Sequence, residues 1–196
     1  MPFRHRQLGL CRFAVLAGML CFAAGVAAQT PKSQAKTQQK SPPQKLQWKT
    51  YNYPADGFSA DFPFEPSQSK KDIDSDSGTY ELRSYMTEDD QAALYVGVCD
   101  YGEKAKKQSP ETLLNNAEDG ALKNSNSRLV SEQAITLGIY HGLEFKAENE
   151  STEFSARLYI VGNTLYQTLV VTPRGHAYAK TTRFLNSFQL IARPAQ

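Results

Sequence analysis

The fold of this chain is decided by the stretch TEFSARLYIVGNTLYQTLVVTP, which runs from Thr152 to Pro173. Two runs rich in β-branched and aromatic residues flank Gly162 and Asn163, and this pair supplies the positive φ angles that a two-residue hairpin turn requires. The sequence therefore predicts an antiparallel hairpin at the centre of a sheet. Its predicted cross-strand pairs on the apolar side are Ile160 with Leu165, Leu158 with Gln167, Ala156 with Leu169, and Phe154 with Val171.

The opposite side of this hairpin is mixed in polarity and carries the candidate binding residues. Tyr159 and Tyr166 are predicted to be cross-strand neighbours, and Arg157 lies next to them on the same side. Two tyrosines and an arginine on a rigid sheet can bind a small molecule or a partner loop. Tyr140 and His141, at the predicted start of the preceding strand, complete the candidate set. The alternative, which this composition favours, is that helices pack over the rings and cover part of this side.

Residues 1–28 have the pattern of a secretory signal peptide. Three arginines accompany an apolar run from Phe13 to Ala24, and small residues then lead to a predicted cleavage site after Ala28. A retained membrane anchor is the alternative, but the apolar run is shorter than the roughly 20 residues that a spanning helix needs. We therefore expect a periplasmic or secreted protein that has no transmembrane span after cleavage.

Residues 29–47 are rich in Gln, Lys, Ser and Pro and have very few apolar side chains, so we expect a disordered tether. Its lysines could instead attach the protein weakly to anionic lipid or cell-wall polymer. A single domain is predicted over residues 48–191, followed by a frayed tail at 192–196. From residue 48 onward acidic side chains outnumber basic ones, so nucleic acid is not a predicted partner.

Cys99 is the only cysteine that remains once the predicted leader is removed, so the sequence predicts no internal disulfide. It lies in the apolar run from Ala92 to Tyr101, which is typical of a strand buried on both faces. A buried, protonated thiol is favoured there over a redox-active one.

The remaining elements are predicted from alternation, caps and apolar stripes. Gly57 to Pro63 is predicted to be a strand with its phenylalanines pointing inward. Ser109 and Pro110 predict a helix start. The apolar stripe of this helix continues to Leu122, and Glu118 is expected on the outward side. A closing helix is predicted from Ala177 to Ser187. The fold class is therefore α+β, a mostly antiparallel sheet flanked by helices on both faces in an α/β/α sandwich.

The sequence predicts no catalytic residue, metal site or cofactor site. Asp72 to Gly78 starts like a calcium loop, but Ser77 replaces the glycine at the sixth position and Arg83 stands where a carboxylate should close the site. Zinc would need more ligands than the remaining histidines and single cysteine supply. His141 and His176 could serve a hydrolase of the cell envelope, although no Gly-x-Ser-x-Gly motif accompanies them.

Five segments, taken in their order along the chain, carry a likeness to a known group of proteins. They are Gly57 to Pro63 with Pro66, Pro110 to Leu122, Tyr140 to Phe145, Ala156 to Tyr166, and Phe184 to Phe188. In these segments the chain resembles exported bacterial proteins of unknown function with the PsbP-like (Mog/PsbP) fold, over nearly all of residues 48–191. The resemblance implies an α/β/α arrangement and a non-catalytic accessory role, since known members of that fold assist complexes. We therefore predict a non-enzymatic binding or assembly module without a cofactor, whose partner is an unknown protein or small molecule of the cell envelope.

Overall fold

The structure is a computed structural model that describes residues 47–75 and 78–193. Within these residues it has two α-helices, α1 at Pro110–Asn124 and α2 at Thr181–Ser187, and a 3-10 helix at Gly102–Lys107. The strands of the described residues are β1 Lys49–Tyr53, β2 Phe58–Phe62, β3 Ser67–Ser75, β4 Gly78–Glu88, β5 Ala93–Asp100, β6 Arg128–Leu137, β7 Tyr140–Glu148, β8 Thr152–Val161, β9 Thr164–Pro173 and β10 Gln189–Leu190. The predicted leader and tether lie outside the described residues.

The larger sheet contains seven antiparallel strands in the order β3-β4-β5-β9-β8-β7-β6. Its inner hairpin, β8 and β9, confirms the predicted register, with Ile160 opposite Leu165 and Tyr159 opposite Tyr166. Gly162 has a φ of 60°, while Asn163 does not have a positive φ. Only the first turn residue therefore takes the conformation that favours glycine, as in a type II′ turn. The prediction of mostly antiparallel sheet with two helices is confirmed.

A second sheet, of three strands in the order β1-β2-β10, was not predicted from the sequence. Residues 54–56 form a 3-10 turn, and Gly57, with a φ of 74°, directs β2 back along β1. Phe58 and Phe62 are fully buried, as predicted, but they belong to a strand outside the large sheet. The third strand of this small sheet follows α2, so the sheet depends on a pairing between residues distant in sequence.

Alternate side chains of β8 enter two different cores. Phe154 and Leu158 pack in one core with Leu113 of α1. Tyr159 packs in the other core with Phe58 of the small sheet and with residues of α2. Because neighbouring side chains of a strand point to opposite faces, β8 is covered on both sides. This explains why neither side of the central hairpin has a purely polar sequence.

Helix α1 begins as predicted, but one of its side chains is placed differently. Ser109 Oγ accepts a hydrogen bond from the backbone N–H of Thr112 at 3.2 Å. Glu118, expected to face outward, is only 5% exposed. It follows Leu114 by four residues, and this spacing places both on the side of the helix that packs on the sheet. Burial, with the neighbouring Glu132, raises the pKa of Glu118 to about 7.

Helix α2 is shorter than predicted, because residues 177–180 are not helical. The carbonyl of Tyr178 accepts hydrogen bonds from the backbone N–H and hydroxyl of Thr181 at 3.1 and 2.9 Å, which forms a turn before the helix. Phe184 and Leu185 are buried as predicted. Cys99 is buried within β5, also as predicted.

The described residues hold no group of three His, Cys, Asp or Glu side chains that could bind a metal ion. Most of the calcium-like segment belongs to the β3–β4 hairpin, and its residues 76 and 77 lie outside the described part. Neither α1 nor α2, the α-helices of residues 47–75 and 78–193, has the length and apolar character that crossing a membrane requires.

Candidate functional site

The structure distributes the five candidate binding residues over separate places. Arg157 lies in one cleft, and Tyr140 and Tyr166 lie in a second one. Tyr159 is buried beneath α2, and His141 lies beside α1. The predicted cross-strand pair of tyrosines is observed, and Arg157 lies close enough to Tyr159 to oppose the rise in its pKa that burial causes. Tyr166 lies in the other cleft, so the five candidates do not line one cleft.

The cleft around Arg157 has a volume of about 490 Å³. Arg157 Nε donates to Glu144 Oε2 at 2.6 Å, and its Nη1 donates to the carbonyl of Leu185 at 3.1 Å and to Asn186 Oδ1 at 2.8 Å. Since Leu185 and Asn186 belong to the last turn of α2, the guanidinium ties the C-terminal end of this helix to β7 and β8. Arg157 therefore stabilises the packing of α2 on the sheet.

The carboxylates of the Arg157 cleft are also engaged within the protein. Glu148 forms ion pairs with Arg128 and, at 3.0 Å, with Arg174, and Glu153 accepts a hydrogen bond from the backbone N–H of Gly175 at 3.0 Å. Burial alone would raise the pKa of Glu144, but hydrogen bonds from Arg157 and Gln133 outweigh it and lower that pKa. Glu144, Glu148 and Glu153 of this cleft thus each have a partner within the protein.

Tyr159 is covered by an aromatic side chain from the segment after α2. Its ring stacks on Phe188 with a centroid distance of 5.7 Å and an interplanar angle of 7°. The other edge of the ring lies over Gly142, where a Cβ would approach Tyr159 Cδ1 to 2.6 Å. Tyr159 therefore belongs to a packed core, as the alternative interpretation of the sequence expected.

The second cleft, of about 310 Å³, brings Tyr140 and Tyr166 together with an arginine that the sequence analysis did not select. Arg193 Nη2 donates to Tyr166 Oη at 2.9 Å, and this hydroxyl donates to the carbonyl of Asp56 at 2.7 Å. Burial raises the pKa of Tyr166, so the hydroxyl stays protonated and keeps donating. We call this site the Arg193 cleft, which is lined by Gly57, Tyr140, Val161, Tyr166, Leu190 and Arg193.

Gly57 gives Arg193 the space to lie against the turn before β2. A Cβ at Gly57 would be 2.9 Å from Arg193 Nε and 3.1 Å from Tyr166 Oη, which is closer than packed atoms tolerate. The positive φ of Gly57 independently favours glycine. The turn and the position of the guanidinium thus depend on the same residue.

The carboxylate nearest in sequence to this turn is already engaged. Asp56 is buried and accepts hydrogen bonds from Arg83 Nε and Tyr85 Oη through its two carboxylate oxygens. Only the backbone carbonyl of Asp56 is directed to Arg193, at 3.5 Å. No carboxylate of residues 47–75 and 78–193 forms an ion pair with Arg193. Its positive charge therefore lies in the cleft without a protein counter-ion among these residues.

The two histidines are far apart in the fold, since His176 lines the Arg157 cleft and His141 lies beside α1. His141 Nδ1 is 3.1 Å from Glu111 Oε1, and the side chains are 58% and 60% exposed. They lie at the rim of an open cleft of about 350 Å³ between α1, β6 and β7. His176 Nδ1 is 3.1 Å from the carbonyl of Arg174 and is exposed. The His141–Glu111 pair thus has the distance that a general base and its orienting carboxylate need, but it is open to solvent.

Similar proteins are found among the solved three-dimensional structures. The chain superposes on the solution structure of cyanobacterial PsbP (CyanoP) from Synechocystis sp. PCC 6803 with a TM-score of 0.51, covering 74% of this chain and 93% of that one at 11% identity. The chain has a PsbP-like fold. The resemblance predicted from the sequence is therefore confirmed for the fold, and at this identity the likeness concerns the fold alone.

A crystal structure from Bacteroides thetaiotaomicron VPI-5482 matches with a TM-score of 0.39 and 14% identity, and the alignment spans 72% of this chain and 48% of that one. Neither a protein-family model nor a curated protein matches the sequence.

On this PsbP-like fold, the functional candidates that the sequence analysis missed are Gly57 and Arg193. The sequence predicts Gly57 only as the first residue of a strand and places Arg193 in the tail. A usable signal was present, since a single glycine directly before an alternating strand often marks close approach of another group. No local signal connects this glycine with an arginine that lies far from it in the sequence.

Proposed function

We propose that this protein is an exported, non-catalytic binding module that holds a small organic anion in the Arg193 cleft. One observation carries the proposal, namely the Arg193 guanidinium, which is fixed by Tyr166 and has no carboxylate partner among the described residues. Charge-assisted hydrogen bonds to a carboxylate are roughly twice as strong as neutral ones. A bound carboxylate would supply the missing counter-ion.

The walls of the cleft favour a ligand that also has an apolar or aromatic part. Val161 and Leu190 line it, and so does the aromatic residue Tyr140. Ligand sites commonly combine such apolar walls with a small number of oriented polar groups. The volume of about 310 Å³ suits a molecule the size of a substituted benzoate.

The compartment and the domain organisation are part of the same proposal. The predicted leader supports a location in the periplasm or outside the cell. We also infer that a single domain, residues 48–191, follows the tether. We further infer that α1 and α2 flank opposite faces of the large sheet, an arrangement supported by their membership of the two separate cores.

The proposal predicts that the protein binds benzoate and that Arg193→Gln weakens this binding at least about tenfold, the loss expected for one charge-assisted hydrogen bond. Benzamide, which has the same shape without the charge, should bind wild type as weakly as benzoate binds the variant. The measurement is isothermal titration calorimetry on the chain after the leader. Arg174→Gln is the matched control, because Arg174 is an exposed arginine outside the cleft. Equal benzoate affinity in wild type and Arg193→Gln would contradict the site.

The tether gives a separate prediction about the cell envelope. If residues 29–47 attach the protein through their lysines, deleting them should move it from the membrane fraction to the soluble fraction. Cell fractionation with immunodetection measures this distribution. The same distribution for the deleted and full-length proteins would reject attachment and leave a simple spacer.

A hydrolase at the cell envelope is the second candidate function, supported by the 3.1 Å distance between His141 and Glu111. The same two side chains are more than half exposed, so water competes for their hydrogen bond and lowers its strength. Arg193 is also exposed, but its guanidinium is held by Tyr166 and lies in a cleft with apolar walls. We therefore favour binding over hydrolysis.

A further inference from the structure

Strand β6, Arg128–Leu137, is an edge of the large sheet and pairs only with β7. Half of the backbone N–H and C=O groups of an antiparallel edge strand point away from the sheet. Such a row is a ready partner for another extended chain. The edge is ten residues long, and its pairing with β7 shifts register between Leu129 and Ser131. The regular stretch that is open to pairing therefore runs from Ser131 to Leu137.

The large exposed apolar side chains of the described residues are all found at this edge. Leu129 is 37% exposed, Val130 51% and Ile139 87%. Leu129 and Val130 lie at the start of β6, and Ile139 lies just after its end, in the turn that leads to β7. Single exposed apolar residues are common, but one edge strand that has them at both of its ends indicates an interaction surface.

The opposite edge of the sheet has the features of a protected strand. β3 carries the exposed charged residues Lys70, Lys71 and Asp72 in a row. Charged side chains, lysine above all, prevent pairing at sheet edges. Within β6 only Arg128 and Glu132 are charged. The two edges of one sheet thus differ in charge, which is one of the features that control edge pairing.

We propose that β6 pairs antiparallel with β6 of a second copy of this chain, which joins two large sheets across a two-fold axis. The positions of the apolar residues argue for a second copy as the occupant. Antiparallel pairing places the start of one strand near the end of the other, so Leu129 and Val130 of each copy approach Ile139 of the other. A two-fold axis forms this contact twice, whereas an unrelated strand would need its own matching apolar ends. This interaction does not depend on the Arg193 cleft.

The test is sedimentation velocity of the chain after the leader over concentrations from about 1 μM to 1 mM, a range that covers weak strand pairing. Wild type should form dimers, and Val130→Lys should weaken the dimer at least about tenfold, because a lysine would be placed opposite apolar side chains. Val130 is half exposed, so the variant should fold, which circular dichroism verifies. Ser69→Lys on β3 is the matched control and should dimerise like wild type.

A second measurement locates the contact. Hydrogen exchange of the β6 amides should slow as the protein concentration rises, while the β3 amides should not change. A wild-type protein that stays monomeric to 1 mM would overturn the proposal, and so would a dimer equally stable in Val130→Lys. Capture of a strand from a different protein by a monomeric wild type would also overturn it.

Discussion

Replacing Phe58 by alanine is expected to lower the free energy of unfolding by about 3 to 5 kcal/mol, the cost of removing a fully buried aromatic side chain. Phe58 has no exposed surface. Its ring contacts Tyr53 and Tyr85 at centroid distances of 5.0 Å and stacks near Phe188 at 5.7 Å. These contacts connect the small sheet, the large sheet and the segment after α2. The substitution therefore weakens the packing between these three parts of the fold.

Urea denaturation followed by tryptophan fluorescence measures this effect, since Trp48 lies directly before β1. Phe64→Ala is the matched control, because it makes the same chemical change at a partly exposed position after β2. We expect the control to lose about 1 kcal/mol or less. A loss below about 1 kcal/mol for Phe58→Ala would mean that the small sheet is not part of the cooperative unit.

Replacing Glu118 by glutamine is expected to stabilise the protein at pH 8 and to leave it unchanged at pH 4. Burial and Glu132 raise the pKa of Glu118 from 4.5 to about 7, and Asp119 adds to the repulsion. One of its oxygens has no hydrogen-bond partner among the described residues. Between the unfolded pKa of 4.5 and the folded pKa of about 7, the unfolded chain has lost the proton and the folded chain keeps it, so the free energy of unfolding falls as pH rises. At pH 8 the buried carboxylate is charged in the folded chain as well, and this stabilisation is lost.

The size of this effect follows from the same shift. A change of this size in pKa corresponds to about 3 kcal/mol, and screening by water around the exposed Glu132 reduces the expected gain at pH 8 to about 1 to 2 kcal/mol. Urea denaturation of wild type and Glu118→Gln at several pH values measures it. Glu132→Gln should remove part of the pH dependence, since it removes one source of repulsion. Parallel stability profiles for wild type and Glu118→Gln would contradict the assignment.

The central hairpin and the start of α1 could be predicted because their causes are local. A glycine at the turn and the alternation beside it fix the register of β8 and β9, and a serine followed by proline fixes the first turn of α1. The observed register and the Ser109 cap agree with these signals. Short-range chemistry was sufficient for these elements.

The small sheet and the Arg193 cleft could not be predicted because their causes are not local. The pairing of Leu190 with Phe58 joins residues at opposite ends of the domain, and hydrophobic alternation does not specify which sheet a strand enters. Arg193 was assigned to the tail because its neighbours have no periodic pattern. The sequence predicts an exposed Glu118 because charged side chains usually face solvent. Its position four residues after Leu114 instead puts it on the buried side of the helix.

The pairing of β10 with β2 also sets an order of events for a chain that emerges from its amino end. The apolar side of β2 forms early, but its last strand and the stacking ring of Phe188 arrive only after β9 and α2 have emerged. Contacts between segments that are distant in sequence form slowly, and the intermediates that precede them expose apolar surface and are prone to aggregate. During its synthesis this protein therefore has a long interval in which holding chaperones can recognise it, and that interval ends only when the residues around Phe188 and Leu190 become available.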